Sequence, residues 1–204
     1  MPDFHSERPP PRGMRARHAG GFTLVELAIT LVVLAVLVGM ASPLFTGLIN
    51  GSRLTGNANE LITAMQIARS EAVRRNVRAT FCQSGNGTSC SAAPAAGWDG
   101  WLVFADEDGD NVVDAAEIVR SGIIEDPIQV IASPSVTNAN AMIVFRPDGL
   151  AYAGNTLLEA NMRVCLPVTN PNLNVRDVNI AVGGRIAVRA PINAGGACAA
   201  PGNL

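Results

Sequence analysis

Hydrophobic and polar positions divide the chain into a long apolar run near its N-terminus, an amphipathic stretch and a series of short apolar runs. From Leu27 to Ala41 the residues are apolar or glycine except for Thr30, and weakly polar residues carry the hydrophobic character on to Ile49. A helix of about 20 such residues is long enough to span a bilayer. The pattern therefore predicts a transmembrane helix over residues 22–49.

A cleaved secretory signal is the alternative interpretation of this run. Such a signal has a shorter apolar region followed by a small-residue cleavage site, whereas Ala41-Ser42-Pro43 follows a longer one. Basic residues are concentrated before the run, and only Arg53 is close behind it. The positive-inside rule then predicts a single-pass protein with residues 1–21 in the cytoplasm and the C-terminal part across the membrane.

Beyond the apolar run, hydrophobic residues recur at steps of four and three residues, which is the spacing of one helical face. We therefore expect one helix from Phe22 to near Asn76, with residues 50–78 as its amphipathic continuation. The face consists of Leu54, Ala58, Leu61, Met65, Ala68 and Ala72.

After Arg78 the pattern changes to short apolar runs separated by Gly, Pro, Asn and Asp, which is typical of strands. A long helix followed by strands predicts an α+β fold in which the helix packs on a mostly antiparallel sheet, and residues 79–204 form one globular head. The predicted strands are Ala79–Gln83, Trp101–Ala105, Ala141–Phe145, Met162–Leu166, Val175–Val182 and Arg185–Val188.

Composition argues against an ordinary enzyme. All 15 basic residues are Arg, and the two histidines, His5 and His18, precede Gly21. Without residues 1–21 the chain has no His and no Lys, which excludes Ser-His-Asp and Cys-His sites, Schiff-base lysines and His-ligated zinc. The same part carries 11 Arg and 15 acidic residues, a formal charge of 11 − 15 = −4, so it is not a generally basic nucleic-acid binder. We therefore expect a protein that is not an enzyme.

A motif at the start of the apolar run accounts for the presence of Glu26. This residue lies beside residues expected in lipid, where an unpaired carboxylate is energetically costly. The residues Gly20-Gly21-Phe22-Thr23-Leu24-Val25-Glu26-Leu27 resemble the type IV prepilin signature. The resemblance implies that residues 1–21 are a leader cut after Gly21, that Phe22 becomes a methylated N-terminus, and that Glu26 pairs with the terminal ammonium of a neighbouring subunit. Translation from Met14 would give the short leader usual in prepilins.

A narrower resemblance covers nearly the whole mature chain. The segment 68–76 followed by Phe81-Cys82, the run Gly100-Trp101-Leu102-Val103-Phe104 and the pair Gly184-Arg185 are similar to the GspH/FimT group of pseudopilins. The resemblance implies a pilin-like fold and a minor pseudopilin of type II protein secretion. It also implies a bacterial inner-membrane location with a periplasmic head, and partners among other pilins, prepilin peptidase, the inner-membrane assembly platform and membrane lipid.

The alternative within this group is a FimT-like minor pilin of a type IV pilus, which contacts DNA during natural transformation. FimT-like pilins carry a GRxR motif for this contact. Here Arg185 matches its first Arg, Ala187 stands in place of the second, and Arg189 lies two residues further on. DNA is therefore a partner only in this alternative, through Arg185 and Arg189.

Four cysteines, Cys82, Cys90, Cys165 and Cys198, allow three pairings, and a head outside the cytoplasm makes disulfides reasonable. We favour Cys82 with Cys90, which closes a Gly/Ser/Asn-rich loop, and Cys165 with Cys198, which ties the C-terminal tail to a strand. Free buried thiols are the alternative.

An acidic loop is the candidate metal site. Carboxylates occupy positions 1, 3, 5, 9 and 12 of residues 106–117, as in a calcium-binding EF-hand loop. The sixth position, usually Gly, is Asn111, and a strand is predicted before the loop, so a complete EF-hand is not expected. Calcium is the candidate cation because it prefers oxygen ligands, and solvated acidic turns are the alternative. The candidate ligands are Asp106, Asp108, Asp110, Asp114 and Glu117.

Overall fold

The computed structural model describes the backbone of residues 21–204 and the side chains of residues 21–39 and 45–204. The chain divides into two compact units, one ending at Ser42 and the other comprising Pro43–Leu204. The leader expected over residues 1–21, including Met14, lies outside the described residues except for Gly21.

One long helix, α1 (Leu24–Arg75), contributes to both units. Thr23 caps its N-terminus, because the Thr23 Oγ1 accepts a hydrogen bond of 3.1 Å from the Glu26 backbone N–H. At the other end Asn76 has a φ of 58°, a left-handed conformation that Asn tolerates and that stops a helix. The helix therefore begins two residues after the predicted start and ends where the sequence placed its end.

The hydrophobic face of α1 is buried in the second unit. All six residues that the sequence grouped on this face are at most 1% exposed, and Ala64 is buried with them. Four of these seven buried residues are alanines: Ala58, Ala64, Ala68 and Ala72.

The strands form two sheets rather than one. Sheet A has the strand order β3-β2-β1-β5-β6-β7, sheet B has the order β10-β9-β8-β4, and every pairing between the described strands is antiparallel. A short helix, α2 (Pro134–Thr137), connects β4 to β5. The strands are β1 (Arg78–Gln83), β2 (Gly100–Asp106), β3 (Ile118–Ile123), β4 (Gln129–Ala132), β5 (Met142–Phe145), β6 (Ala151–Ala153), β7 (Thr156–Leu157), β8 (Ala160–Cys165), β9 (Val175–Ala181) and β10 (Arg185–Val188).

The main core combines the buried face of α1 with side chains of both sheets. Phe81 and Trp101 of sheet A stack in it with ring centroids 6.0 Å apart, and Met162 and Ile180 come from sheet B. A second, smaller cluster, formed by Cys82, Leu102 and Phe104, consists of alternate residues of β1 and β2. Because successive strand residues point to opposite faces, this cluster covers the other face of sheet A. The α+β prediction, a long helix packed on antiparallel strands, is confirmed.

Large apolar side chains are exposed along the described N-terminal part of α1 and the residues just before it. From Phe22 to Val38 the large apolar residues are all more than half exposed, with Phe22 at 82%. Among the residues that the structure describes, no helix is long and apolar enough to cross a membrane.

Candidate functional sites

The Gly21–Phe22 peptide bond lies in non-helical backbone immediately before α1. A Cβ added at Gly21 would meet nothing within 4 Å, and the Phe22 side chain is exposed. Cleavage requires an accessible backbone, which exposed segments outside secondary structure provide. The local geometry is therefore compatible with cleavage between these two residues.

Glu26 lies in the first turn of α1 and is exposed. A carboxylate in the first turn is favoured by the positive end of the helix dipole, and the Thr23 cap fixes the backbone of this turn. Among the ion pairs of the described residues, none involves Glu26.

The acidic loop connects β2 to β3. Asp106 is the last residue of β2, and Glu117 directly precedes β3. A backbone hydrogen bond of 3.0 Å from Ala105 N to Glu117 O joins the two strand ends, so both carboxylates lie at the base of the loop. Asp106 is 3% exposed and Glu117 is 7% exposed, whereas Asp108 is exposed.

Three of the five predicted ligands come together. Asp106, Asp108 and Glu117 each present an oxygen within 4.8 Å of the others, and the group does not include Asp110 or Asp114. The Oδ1 of Asp110 accepts a hydrogen bond of 2.7 Å from the Val112 N–H, which turns the backbone within the loop.

Asn111 adopts the backbone conformation that the sixth position of an EF-hand loop requires, although this position is usually Gly. Its φ is 61°, the left-handed conformation that glycine supplies at the sixth position of an EF-hand loop. Strands lie on both sides of the loop, so the structure confirms that this is not a helix-loop-helix EF-hand.

A chain of ion pairs links the end of α1 to the acidic loop. The Arg75 Nη1 lies 2.6 Å from Glu107 Oε1, and Arg78 Nη2 lies 3.1 Å from Asp106 Oδ2. The charge pattern of the sequence predicts neither of these ion pairs. The missed signal was the strand register, because Arg78 and Asp106 are direct partners in the antiparallel pairing of β1 with β2.

Two disulfides tie loops to strands. They join Cys82 of β1 to Cys90 and Cys165 of β8 to Cys198, with Cα–Cα distances of 5.7 Å in both. These are the two pairings that the sequence favoured. The first lies against the small cluster on sheet A, and the second attaches the C-terminal tail to sheet B.

Arg185 and Arg189 are exposed and line one shallow cavity at β10. Two other arginines that would strengthen binding of an anionic polymer do not join them. Arg163 donates two hydrogen bonds of 2.8 Å to Asp177, and Arg176 donates to backbone carbonyl oxygens. The hydrogen bonds to Asp177 hold the pKa of Arg163 above its usual value, so this guanidinium stays charged and engaged with Asp177.

Comparison with protein families identifies the head. The family model described as type II transport protein GspH matches residues 57–184, which is more than half of the chain and includes the buried half of α1 and every strand through β9. The chain belongs to the GspH family. This family consists of structural pilin-like subunits that interact with other pilins, and the resemblance to the GspH/FimT group is confirmed.

A second family model, the prokaryotic N-terminal methylation motif, matches residues 16–42 of this GspH-family chain. The match covers Gly21, Phe22 and Glu26. It indicates a prepilin-like, membrane-anchored protein.

Solved structures similar to this GspH-family chain include two crystal structures of the type IV minor pilin FimU from Pseudomonas aeruginosa, in space groups P65 and P21. They are 18% and 19% identical, and the TM-score is 0.45 for both. The alignments cover 67% and 68% of this chain and 92% and 90% of the FimU chains. No curated protein sequence matches the chain significantly.

Proposed function

We propose that this chain is a minor pseudopilin, a structural subunit of a type II secretion pseudopilus that drives protein export. The observation that carries the proposal is the combination of two matches in one chain, a GspH head at residues 57–184 and a methylation motif at residues 16–42. The description of the first model as a type II transport protein favours secretion over other pilin systems.

Processing gives the N-terminal segment its role in assembly. Prepilin peptidase cuts after Gly21, and the new terminal amine of Phe22 is methylated. The exposed apolar face that follows is then available to membrane lipid and to the helices of other pilins. The head lies in the periplasm, and residues 22–49 anchor it in the inner membrane, where the assembly platform extracts the subunit.

Glu26 sets the position of each subunit in the filament. A carboxylate surrounded by apolar helices loses several kcal/mol of solvation unless it is paired. The terminal ammonium of a neighbouring Phe22 neutralises it, so the correct axial register is the one in which the two charges meet. The exposure of Glu26 in the first turn of α1 leaves its carboxylate accessible to that partner.

A pull-down of the membrane-extracted full chain tests this proposal. Glu26→Gln should be cleaved and membrane-bound like the wild type, but the other pilins recovered with it should fall by at least about tenfold, as expected when a charge pair worth more than about 1.4 kcal/mol is lost. Glu60→Gln, the same change further along α1, is the matched control. Equal recovery with Glu26→Gln and wild type would refute the pairing.

A second candidate function is that of a FimT-like minor pilin that binds DNA, and the observation that favours it is the shared cavity of Arg185 and Arg189. Two phosphate contacts give weak binding with a modest salt dependence, because the slope of log K against log[salt] is only about −0.9 per contact. The chain with both Arg185→Ala and Arg189→Ala should then lose DNA retardation that a control with Arg53→Ala keeps. Loss of protein export without loss of DNA uptake in a deletion strain would favour the pseudopilin instead.

A further inference from the structure

A buried carboxylate oxygen without a hydrogen-bond partner distinguishes the acidic loop from an ordinary solvated turn. Glu117 Oε1 accepts a hydrogen bond of 2.6 Å from the Glu107 N–H, but Glu117 Oε2 is buried and accepts none. An ionised oxygen in this situation has lost its water and gained nothing in return. We propose that the loop binds one calcium ion through Asp106, Asp108 and Glu117.

Asp106 offers a second buried carboxylate oxygen. Its Oδ1 accepts hydrogen bonds from the Gly109 and Asn111 N–H groups, at 3.0 and 3.3 Å, which shapes the loop around it. Its Oδ2 is buried and accepts no hydrogen bond, but it forms an ion pair of 3.1 Å with Arg78 Nη2. The loop thus fixes one oxygen of Asp106, and a calcium ion would share the other with Arg78.

Calcium can accommodate all three carboxylates. Calcium–oxygen bonds are about 2.3–2.6 Å long, so two ligand oxygens of one ion lie at most about 5.2 Å apart. The oxygens of the three carboxylates lie within 4.8 Å of one another, so all three can bind one calcium ion. Magnesium usually keeps several waters and binds only one or two carboxylates, so a group of three favours calcium. Because Asp108 is exposed, water can complete the coordination sphere.

The charge of the group matches a divalent ion. Three carboxylates carry −3, and the guanidinium of Arg78 beside Asp106 adds +1, so the group has −3 + 1 = −2. A neighbouring carboxylate, Glu107, is paired with Arg75 and is not part of the group. One calcium ion therefore neutralises the cluster.

Calorimetric titration of the full chain in detergent micelles with CaCl2 tests the site. We expect one ion per chain with a Kd on the order of 10⁻⁴–10⁻³ M, the range of extracellular calcium modules. About 10 mM CaCl2 should then raise Tm by about 3–10 °C. The same concentration of MgCl2 should raise Tm by less than half as much.

Variants in the same loop identify the ligands. Asp108→Asn and Glu117→Gln should each weaken binding at least about tenfold, because each removes one charged ligand while keeping the shape of the side chain. Asp110→Asn is the matched control, since it makes the same change of charge outside the group and keeps the Oδ1 that accepts from Val112. It should bind calcium within about threefold of the wild type.

Several results would overturn the site. Absence of calcium heat with the folded wild type would do so, as would equal Tm rises with calcium and magnesium. Equal weakening by Asp110→Asn and Asp108→Asn would mean that the loop attracts cations diffusely. If Glu117→Gln does not fold, the exposed Asp108 still decides the question.

Discussion

The second disulfide should contribute more to stability than the first, because it closes a longer loop. Cys165–Cys198 spans 33 residues of sequence, and Cys82–Cys90 spans 8. The test compares two double variants, Cys165→Ala with Cys198→Ala and Cys82→Ala with Cys90→Ala. In the chain-entropy model, a bond restricts the unfolded chain more strongly when more residues lie between its ends.

The entropy of loop closure gives the size of the effect. With a cost of about 2.1 + 1.5R ln n cal/mol/K for a loop of n residues, removal of Cys165–Cys198 costs about 3.7 kcal/mol at 25 °C. Removal of Cys82–Cys90 costs about 2.5 kcal/mol on the same basis. For a domain of this size these losses lower Tm by about 7–15 °C and about 5–10 °C, respectively.

The two variants are otherwise well matched. Cys82 and Cys165 are both fully buried, so each variant loses a similar amount of packing at one sulfur position. The C-terminal tail also has contacts independent of its disulfide, since Asn161 Nδ2 donates to Gly202 O at 2.7 Å and Ser135 N donates to Asn203 Oδ1 at 3.0 Å. The tail should therefore stay attached in the folded variant, and the loss should arise mainly in the unfolded chain.

The assay is thermal unfolding of the full chain in detergent, with a thiol titration to show that the remaining bond is formed. We expect the variant without Cys165–Cys198 to unfold at the lower temperature. An equal or larger loss in the variant without Cys82–Cys90 would refute the loop-length argument. Such a result would mean that packing around Cys82–Cys90 on sheet A contributes more to stability than the difference in loop-closure entropy between the two bonds.

Two further predictions concern charge and packing in the head. The hydrogen bond from Arg74 holds the pKa of Glu71 below its usual value, so the stabilisation is present above the carboxyl pKa of the unfolded chain and is lost as the pH falls through the lower folded-state pKa. Glu71→Gln should thus lower Tm at pH 7, with a difference from wild type that shrinks between about pH 5 and pH 3; a constant difference would contradict this. Gly100→Ala should destabilise by about 1–3 kcal/mol, because its Cβ would lie 2.6 Å from two backbone carbonyl oxygens. A Cβ added at Gly56, on α1, would meet nothing within 4 Å, so Gly56→Ala should stabilise the protein by about 0.5–1 kcal/mol in chemical denaturation. Stability changes of the same sign in the Gly100 and Gly56 variants would contradict the packing argument.

The parts of the fold that sequence reasoning recovered are those with a strong local pattern. The six-residue face of α1 has an unbroken helical period, and all of it is buried. The six predicted strands all exist, because each is an apolar run that ends at turn residues. Asn76 ended the helix as expected, since it adopts the left-handed conformation that few residues tolerate.

Besides β4 and α2, the sequence did not predict three strands that are held by tertiary pairing rather than by their own sequence. Strand β3 contains Ser121 and Gly122 and alternates poorly, yet it pairs along β2 because the acidic loop returns the chain to that edge. Strands β6 and β7 are three and two residues long, too short for a period to show. The division into two sheets depends on which strands pair, which hydrophobic spacing does not encode.

The acidic loop shows the same limit at a candidate site. Carboxylate spacing predicted a metal site with five ligands in this loop, whereas the structure brings only three of these carboxylates together. The prediction of five ligands was based on the backbone of an EF-hand loop. In this protein a backbone hydrogen bond between two strand ends brings Asp106 and Glu117 together instead. The part played by Arg78 depends on strand register and was not visible in the sequence.

Mass spectrometry of the mature N-terminus tests the central claim most directly. The full chain would be expressed with and without a prepilin peptidase, extracted from membranes and analysed intact and after digestion. With the peptidase, we predict a chain that begins at a methylated Phe22; without it, the leader should remain. An intact leader in the presence of the peptidase, or cleavage after Ser42, would contradict the assignment of this chain as a processed pilin-like subunit.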